Sequence, residues 1–190
     1  MIEMNFPSEY GASLNALIAS HSEQIEVILE SLYLDYKADK TFMLAGNGGN
    51  FANVFHMGTD WTKGLSTSCG IGMNLRILGS NPALLSAVEN DIGHDMSLSF
   101  LLELERCDAN SVVILFSAGG TSTNILLAAK KAKECGAKVV GIMGGTSFNS
   151  SNLFDELLHI NDADMQYVED IHSIFGHMLL KYFIQKKNRS

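Results

Sequence analysis

A short apolar run, Thr41-Phe-Met-Leu-Ala-Gly46, passes through Asn47-Gly-Gly-Asn50 into a stretch of helical spacing from Phe51 to Asp60. This succession of buried strand, glycine turn and helix constrains the fold more than any other part of the chain. It predicts a parallel α/β unit, and it turns the backbone N–H groups of a helix start outward as a seat for an anion. The pattern recurs later. Ser111-Val-Val-Ile-Leu-Phe116 is β-branched and apolar on both faces, as a central parallel strand should be, and runs into Ser117-Ala-Gly-Gly-Thr-Ser122. A helix from Thr123 to Cys135, closed by Gly136, follows. Neither turn is a Walker loop, since no Gly-Lys-Ser/Thr follows, and Phe51 stands where a dinucleotide fingerprint needs its third glycine.

The remaining elements fit the same plan. Leu14, Leu17, Ile18, Ile25, Ile28, Leu29 and Leu32 predict helix from Ser8 to about Lys37, either continuous or broken near Ser20, His21 and Ser22. The helix after the first turn should end near Lys63-Gly64, with Leu65 to Ile71 as a loop and Asn74 to Leu78 as a strand. Pro82 suits the first position of a helix, and Ala83–Val88 and Met96–Leu104 read as helices separated by the turn-forming Asn90-Asp-Ile-Gly93. Lys138–Met143 and Leu157–Ile160 are further strands, Asp164 to about Lys187 a last helix, and the final residues a loose basic tail. Strands alternating with helices imply one doubly wound α/β domain over residues 1–190, with a helical segment at 1–40 and the mostly parallel core at 41–190.

Composition narrows the function. A net charge of −8 argues against general binding to nucleic acid or to an anionic membrane, both of which reward clustered Lys and Arg. A small phosphorylated ligand stays compatible, because local N–H dipoles can hold it on an acidic protein. Cys69, Cys107 and Cys135 form no CxxC pair, which suits a reducing cytoplasm and thiols without a structural bridge. No apolar run approaches the roughly 18 residues of a membrane span.

Two side-chain pairs carry the chemistry. His56 and Asp60, four apart, share one helix face; Glu169 and His172, three apart, share another. Converging, they would offer nitrogen and oxygen ligands to a divalent metal, or an acid and a base for proton transfer.

Gly46-Asn-Gly-Gly, Asn90-Asp-Ile-Gly93, Phe116-Ser-Ala-Gly-Gly-Thr-Ser-Thr-Asn124 and Val168-Glu-Asp-Ile-His172 with His177, in that order and spacing, resemble the sugar isomerase (SIS) domain family. Within it they are most similar to the phosphoheptose isomerase branch, which interconverts sedoheptulose 7-phosphate and a heptose 7-phosphate for surface polysaccharides. The resemblance implies a cytoplasmic aldose–ketose isomerase working through an enediol, in a homotetramer whose copies share sites. It implies Asp60 and His172 as the acid/base pair. Asn47, Gly48, Gly49, Asn50, Asn90, Asp91, Ser117, Gly119, Thr121 and Ser122 would surround the sugar phosphate, and His56, Asp60, Glu169 and His172 would hold zinc or another divalent metal. The chain departs from the family pattern at several of these positions. Asn50 replaces a serine, Ala118-Gly119 replaces Thr-Ser, Asp60 a glutamate, Glu169 a glutamine and Tyr167 an arginine. The alternatives are a sugar-phosphate-binding module without turnover and an isomerase of a different phosphosugar.

Overall fold

The computed structural model describes residues 5–189. Two helices lead, α1 (Phe6–Ser20) and α2 (Ser22–Lys37), with the break at His21. The His21 ring sits between the carbonyl oxygens of Leu17, 2.8 Å from Nδ1, and of His159, 3.0 Å from Nε2. The ring thereby ties the elbow between the helices to the edge of the sheet.

Then follow β1 (Thr41–Gly46), α3 (Gly49–Thr59), a π-helical turn (Asp60–Gly64) and α4 (Leu65–Cys69). The expected loop at Leu65–Ile71 is therefore corrected to a short helix that Gly70 ends in a left-handed conformation. The polar Ser66-Thr67-Ser68 side of α4 faces solvent, which hid its helical period, while Leu65 is fully buried.

β2 (Leu75–Ile77) leads to α5 (Pro82–Asp91), where Asn81 accepts the N–H groups of Ala83 and Leu84 and Pro82 begins the helix. α6 (His94–Leu104), β3 (Ser111–Ser117), α7 (Thr123–Glu134), β4 (Lys138–Gly144) and β5 (Glu156–Ile160) come next. The last element, α8 (Met165–Arg189), starts under Asp164, whose Oδ1 accepts from Gln166 and Tyr167. The helix runs past the expected end near Lys187 as far as Arg189, so no loose tail is found among the described residues.

All five strands are parallel, in the order β2-β1-β3-β4-β5. Side chains alternate between two cores. Phe42, Leu44, Val112, Ile114 and Phe116 pack against α2, α3 and α8; Met43, Ala45, Val113 and Leu115 pack against α5, α6 and α7. The chain leaves β1 toward β2 on one side and returns to β3 on the other. The switch point therefore lies between the C-terminal ends of β1 and β3, where Gly46 pairs with Phe116 and where ligands bind in open parallel sheets. Among the described residues no helix is long and apolar enough to cross a membrane.

Candidate active site

Both glycine turns leave the sheet at this switch point, and a reciprocal amide pair joins them. Asn47 Nδ2 donates to Asn124 Oδ1 at 2.8 Å, and Asn124 Nδ2 donates to Asn47 Oδ1 at 3.0 Å. Asn124 is buried and its Oδ1 also accepts the Ile125 N–H, so the register of one turn fixes the other. In the second turn the Gly120 N–H donates to Ser117 Oγ at 3.1 Å, and Ser117 Oγ lies 3.3 Å from Ser122 Oγ. Ser122 caps α7 without using its side chain, and Gly119 and Thr121 are exposed. The Ile125 N–H is taken by Asn124 Oδ1 and the Leu126 N–H by the Ser122 carbonyl, which leaves the Thr123 and Asn124 N–H groups, unpaired among the described residues, for an anion beside two hydroxyls.

The first turn differs. The Glu169 carboxylate packs onto Gly49, the first residue of α3, so closely that an added Cβ would lie 2.7 Å from Oε2. A carboxylate from the protein itself stands at this helix start and competes with a phosphate for the positive end of α3. Asn90 and Asp91 hydrogen-bond to each other at the end of α5. Their neighbours Glu89 and His94, 2.8 Å apart, line a cavity of about 290 Å³ that reaches Gly46, Asn47 and Asn124.

Further along, α3 and α8 bring three side chains together. His56 Nε2 lies 3.5 Å from Asp60 Oδ2 and 3.1 Å from His177 Nε2, and His177 Nε2 lies 3.7 Å from the same Asp60 oxygen. Trp61, fully buried, donates its Nε1–H to the Gly176 carbonyl at 3.0 Å, next to His177. Gly176 is what lets the helices close: a Cβ there would meet Met57 Cγ at 2.6 Å. The π turn begins at Asp60, after the α-helical spacing has set it below His56. Ligand atoms around a tetrahedral zinc at ~2.0–2.1 Å stand ~3.3 Å apart. The three measured separations bracket that value, the donors are two imidazole nitrogens and a carboxylate oxygen, and the side chains are open to solvent on one side. The residues fit a divalent metal with a free coordination position.

This corrects the four-residue set expected from the sequence. His56 and Asp60 meet as the spacing implied, but the third member is His177, and neither Glu169 nor His172 joins a metal-competent cluster among the described residues. His172 has no exposed surface. Its Nδ1 lies 2.7 Å from Asn50 Oδ1, its Nε2 is enclosed without a partner among the described residues, and its ring meets the Phe116 ring. Burial pushes its pKa down from 6.5 to about 3, so the ring is neutral and closed off from any substrate.

That burial carries a sign for stability. Below about pH 6.5 the unfolded chain takes up a proton that the folded ring refuses until about pH 3. Stability from this group is thus present above that window and lost as the pH falls through it, by up to ~1.4 kcal/mol per pH unit. His172→Asn, which cannot titrate, should be less stable than the native chain at pH 7 and lose part of that deficit by pH 4. Urea midpoints at the two pH values check this, and a constant deficit would contradict a neutral buried ring.

The SIS domain family model matches residues 5–144, most of the chain. The chain belongs to the SIS domain family. Among its relatives, the phosphoheptose isomerase of Clostridium acetobutylicum is 29% identical over 157 residues, spanning 83% of this chain and 79% of that protein. The phosphoheptose isomerase of Aliarcobacter butzleri is 26% identical, covering 86% and 85%. The structure of a phosphoheptose isomerase from Francisella tularensis superposes with a TM-score of 0.84 at 17% identity, over 97% of this chain and 100% of that one. That from Neisseria gonorrhoeae gives 0.79 at 20% identity over 93% of each. This SIS domain therefore shares its layered fold with those structures.

Proposed function

We propose that this SIS domain is an aldose–ketose isomerase of a phosphorylated sugar, with sedoheptulose 7-phosphate as its substrate. The observation that carries the reading is the trio of His56, Asp60 and His177, a cluster of proton-transferring and metal-ligating groups in a fold whose switch point offers an anion seat. The phosphate is held at the start of α7 by backbone N–H groups and by the hydroxyls of Ser117, Thr121 and Ser122. Asn47, Gly48, Gly49 and Asn50 line the sugar from the first turn, and Asn90 and Asp91 close the far side. One of Asp60 and His177 takes the proton from the carbon beside the carbonyl while the carbonyl oxygen gains one, giving the enediol. The same groups then return a proton to the neighbouring carbon and remove one from the other oxygen. A divalent metal such as zinc, held by His56 Nε2, Asp60 Oδ2 and His177 Nε2, would polarise the carbonyl and hydroxyl oxygens. Asp60 Oδ1 stays available for proton transfer in that arrangement.

The working form is a homo-oligomer, with a tetramer as the expected state. α1 has no buried residue and Phe6 is 68% exposed, a face that suits a second copy. The reaction belongs in the cytoplasm, in keeping with three free cysteines.

The test is conversion of sedoheptulose 7-phosphate followed by proton NMR, in protein as purified, after chelation and after zinc is added back. Chelation should lower kcat/KM at least ~10-fold, with recovery on adding zinc. Full activity without metal would leave the trio as an acid/base group alone. The second reading, a sugar-phosphate sensor, is favoured by Ala118 and Gly119 in the anion turn and by Glu169 on Gly49. Thermal stabilisation by sugar phosphates without product formation would establish it.

A further inference from the structure

His172 and Asn50 form a closed pair at the edge of the switch-point crevice. Asn50 is the second residue of α3 and lies directly over the end of β1, where a Cβ added to Gly46 would come within 2.8 Å of its Cβ. It is 2% exposed, and its one side-chain hydrogen bond among the described residues runs from Oδ1 to His172 Nδ1 at 2.7 Å. Asn50 Nδ2 has no partner among the described residues, yet it is not one of the enclosed unpaired atoms, so it is the part of the side chain that reaches solvent.

The direction of the hydrogen bond follows from the other ring nitrogen. If Asn50 donated to a bare Nδ1, the proton of the neutral ring would sit on Nε2, enclosed without an acceptor. If Nδ1–H donates to Asn50 Oδ1, the unpaired atom is only a lone pair. Enclosed unpaired N–H groups are the rarer of the two, so the ring carries its proton on Nδ1. Burial forbids the doubly protonated ring at neutral pH. The carbonyl end of the Asn50 amide is therefore fixed toward His172, and both amide hydrogens are left for the crevice.

We infer that His172 is a positioning residue: it locks the Asn50 amide so that this position offers only hydrogen-bond donors, selecting an acceptor oxygen of the bound phosphosugar. A serine hydroxyl, which the family pattern has at this place, rotates freely and can donate or accept. The locked amide cannot, so it favours a phosphate or carbonyl oxygen over a sugar hydroxyl that must donate. The substrate part of this inference rests on the isomerase reading; the state of the ring does not.

Two measurements test it. Nitrogen-15 NMR of the histidine rings in the ligand-free protein should find His172 neutral with its proton on Nδ1; a proton on Nε2 would overturn the inference whatever the protein catalyses. The second is a cycle of His172→Phe, Asn50→Ser and the double variant, read as KM for sedoheptulose 7-phosphate, with melting curves to confirm folding. His172→Phe should raise KM roughly 10-fold where Asn50 is intact, with a smaller change in kcat, and less than about 2-fold in the Asn50→Ser background, where a hydroxyl has replaced the amide. His172→Asn, which keeps a donor near the place of Nδ1, should recover part of the loss. Equal effects of His172→Phe in both backgrounds would mean that the ring supports the fold and positions nothing. If the native chain neither binds nor converts the sugar, the isomerase reading fails, and the ring proton alone decides the positioning role.

Discussion

Replacing His177 by alanine should lower kcat/KM for phosphosugar isomerisation by roughly 100- to 10,000-fold, while the melting temperature moves by no more than about 3 °C. The two halves of this expectation come from the same geometry. His177 has a side chain 55% exposed, so truncation opens no cavity in the core. Yet its Nε2 is 3.1 Å from His56 and 3.7 Å from Asp60, so its loss breaks the trio on which the proposed mechanism depends. Asp60→Asn keeps the shape, removes the charge and should cost a similar factor. Losses below about 5-fold for both variants would take the trio out of the mechanism. Changes at the fully buried His172 should show the opposite signature, with stability falling before turnover.

The contrast between these two histidines also shows what the sequence could carry. His56 and Asp60 were legible because four residues on a helix return to the same face. Glu169 and His172 share a face by the same rule, but periodicity does not say whether that face meets solvent, a cleft or the core. His177 lies five residues beyond His172, about 140° further round the helix, so the two rings meet different parts of α3: His172 the buried Asn50 at its start, His177 the exposed His56 about a turn and a half further on. The available sign was Gly176, a glycine in a helix interior immediately before a histidine, where a missing side chain signals close approach by another element. The layered sheet was readable because buried parallel strands are continuous apolar runs, as Ser111–Phe116 is. Helix was readable as far as Lys63-Gly64 but its continuation as α4 was not, since the π turn at Asp60–Gly64 breaks the 3.6-residue period and α4 is polar on its exposed side. The Glu169 carboxylate at the start of α3 depends on a contact 120 residues away in the chain, and no local pattern announces it.

The anion turn gives the other large effect, and here two adjacent glycines should respond in opposite ways. Gly120 has φ of +69°, and a Cβ there would stand 2.5 Å from the Gly144 carbonyl oxygen and 2.9 Å from Phe148 Cβ. The left-handed conformation alone costs an alanine ~1–2 kcal/mol, and the blocking atom is backbone in the neighbouring strand end, which cannot swing aside. The turn must therefore shift, breaking the Gly120 N–H bond to Ser117 Oγ and misaligning the hydroxyls and N–H groups at the start of α7. Gly120→Ala should raise the dissociation constant for sedoheptulose 7-phosphate by roughly 10- to 100-fold, and lower global stability by about 1–3 kcal/mol. Gly119 is exposed and has only Thr121 Oγ1, at 3.9 Å, near the place a Cβ would take. A serine fits there and restores the hydroxyl that the family pattern places in this turn, so Gly119→Ser should tighten sugar-phosphate binding by about 3- to 10-fold. Titration calorimetry on both variants separates the outcomes. If Gly120→Ala binds as the native chain does, the phosphate is held elsewhere. If Gly119→Ser weakens binding, the turn has been shaped for a ligand group bulkier than the family pattern implies.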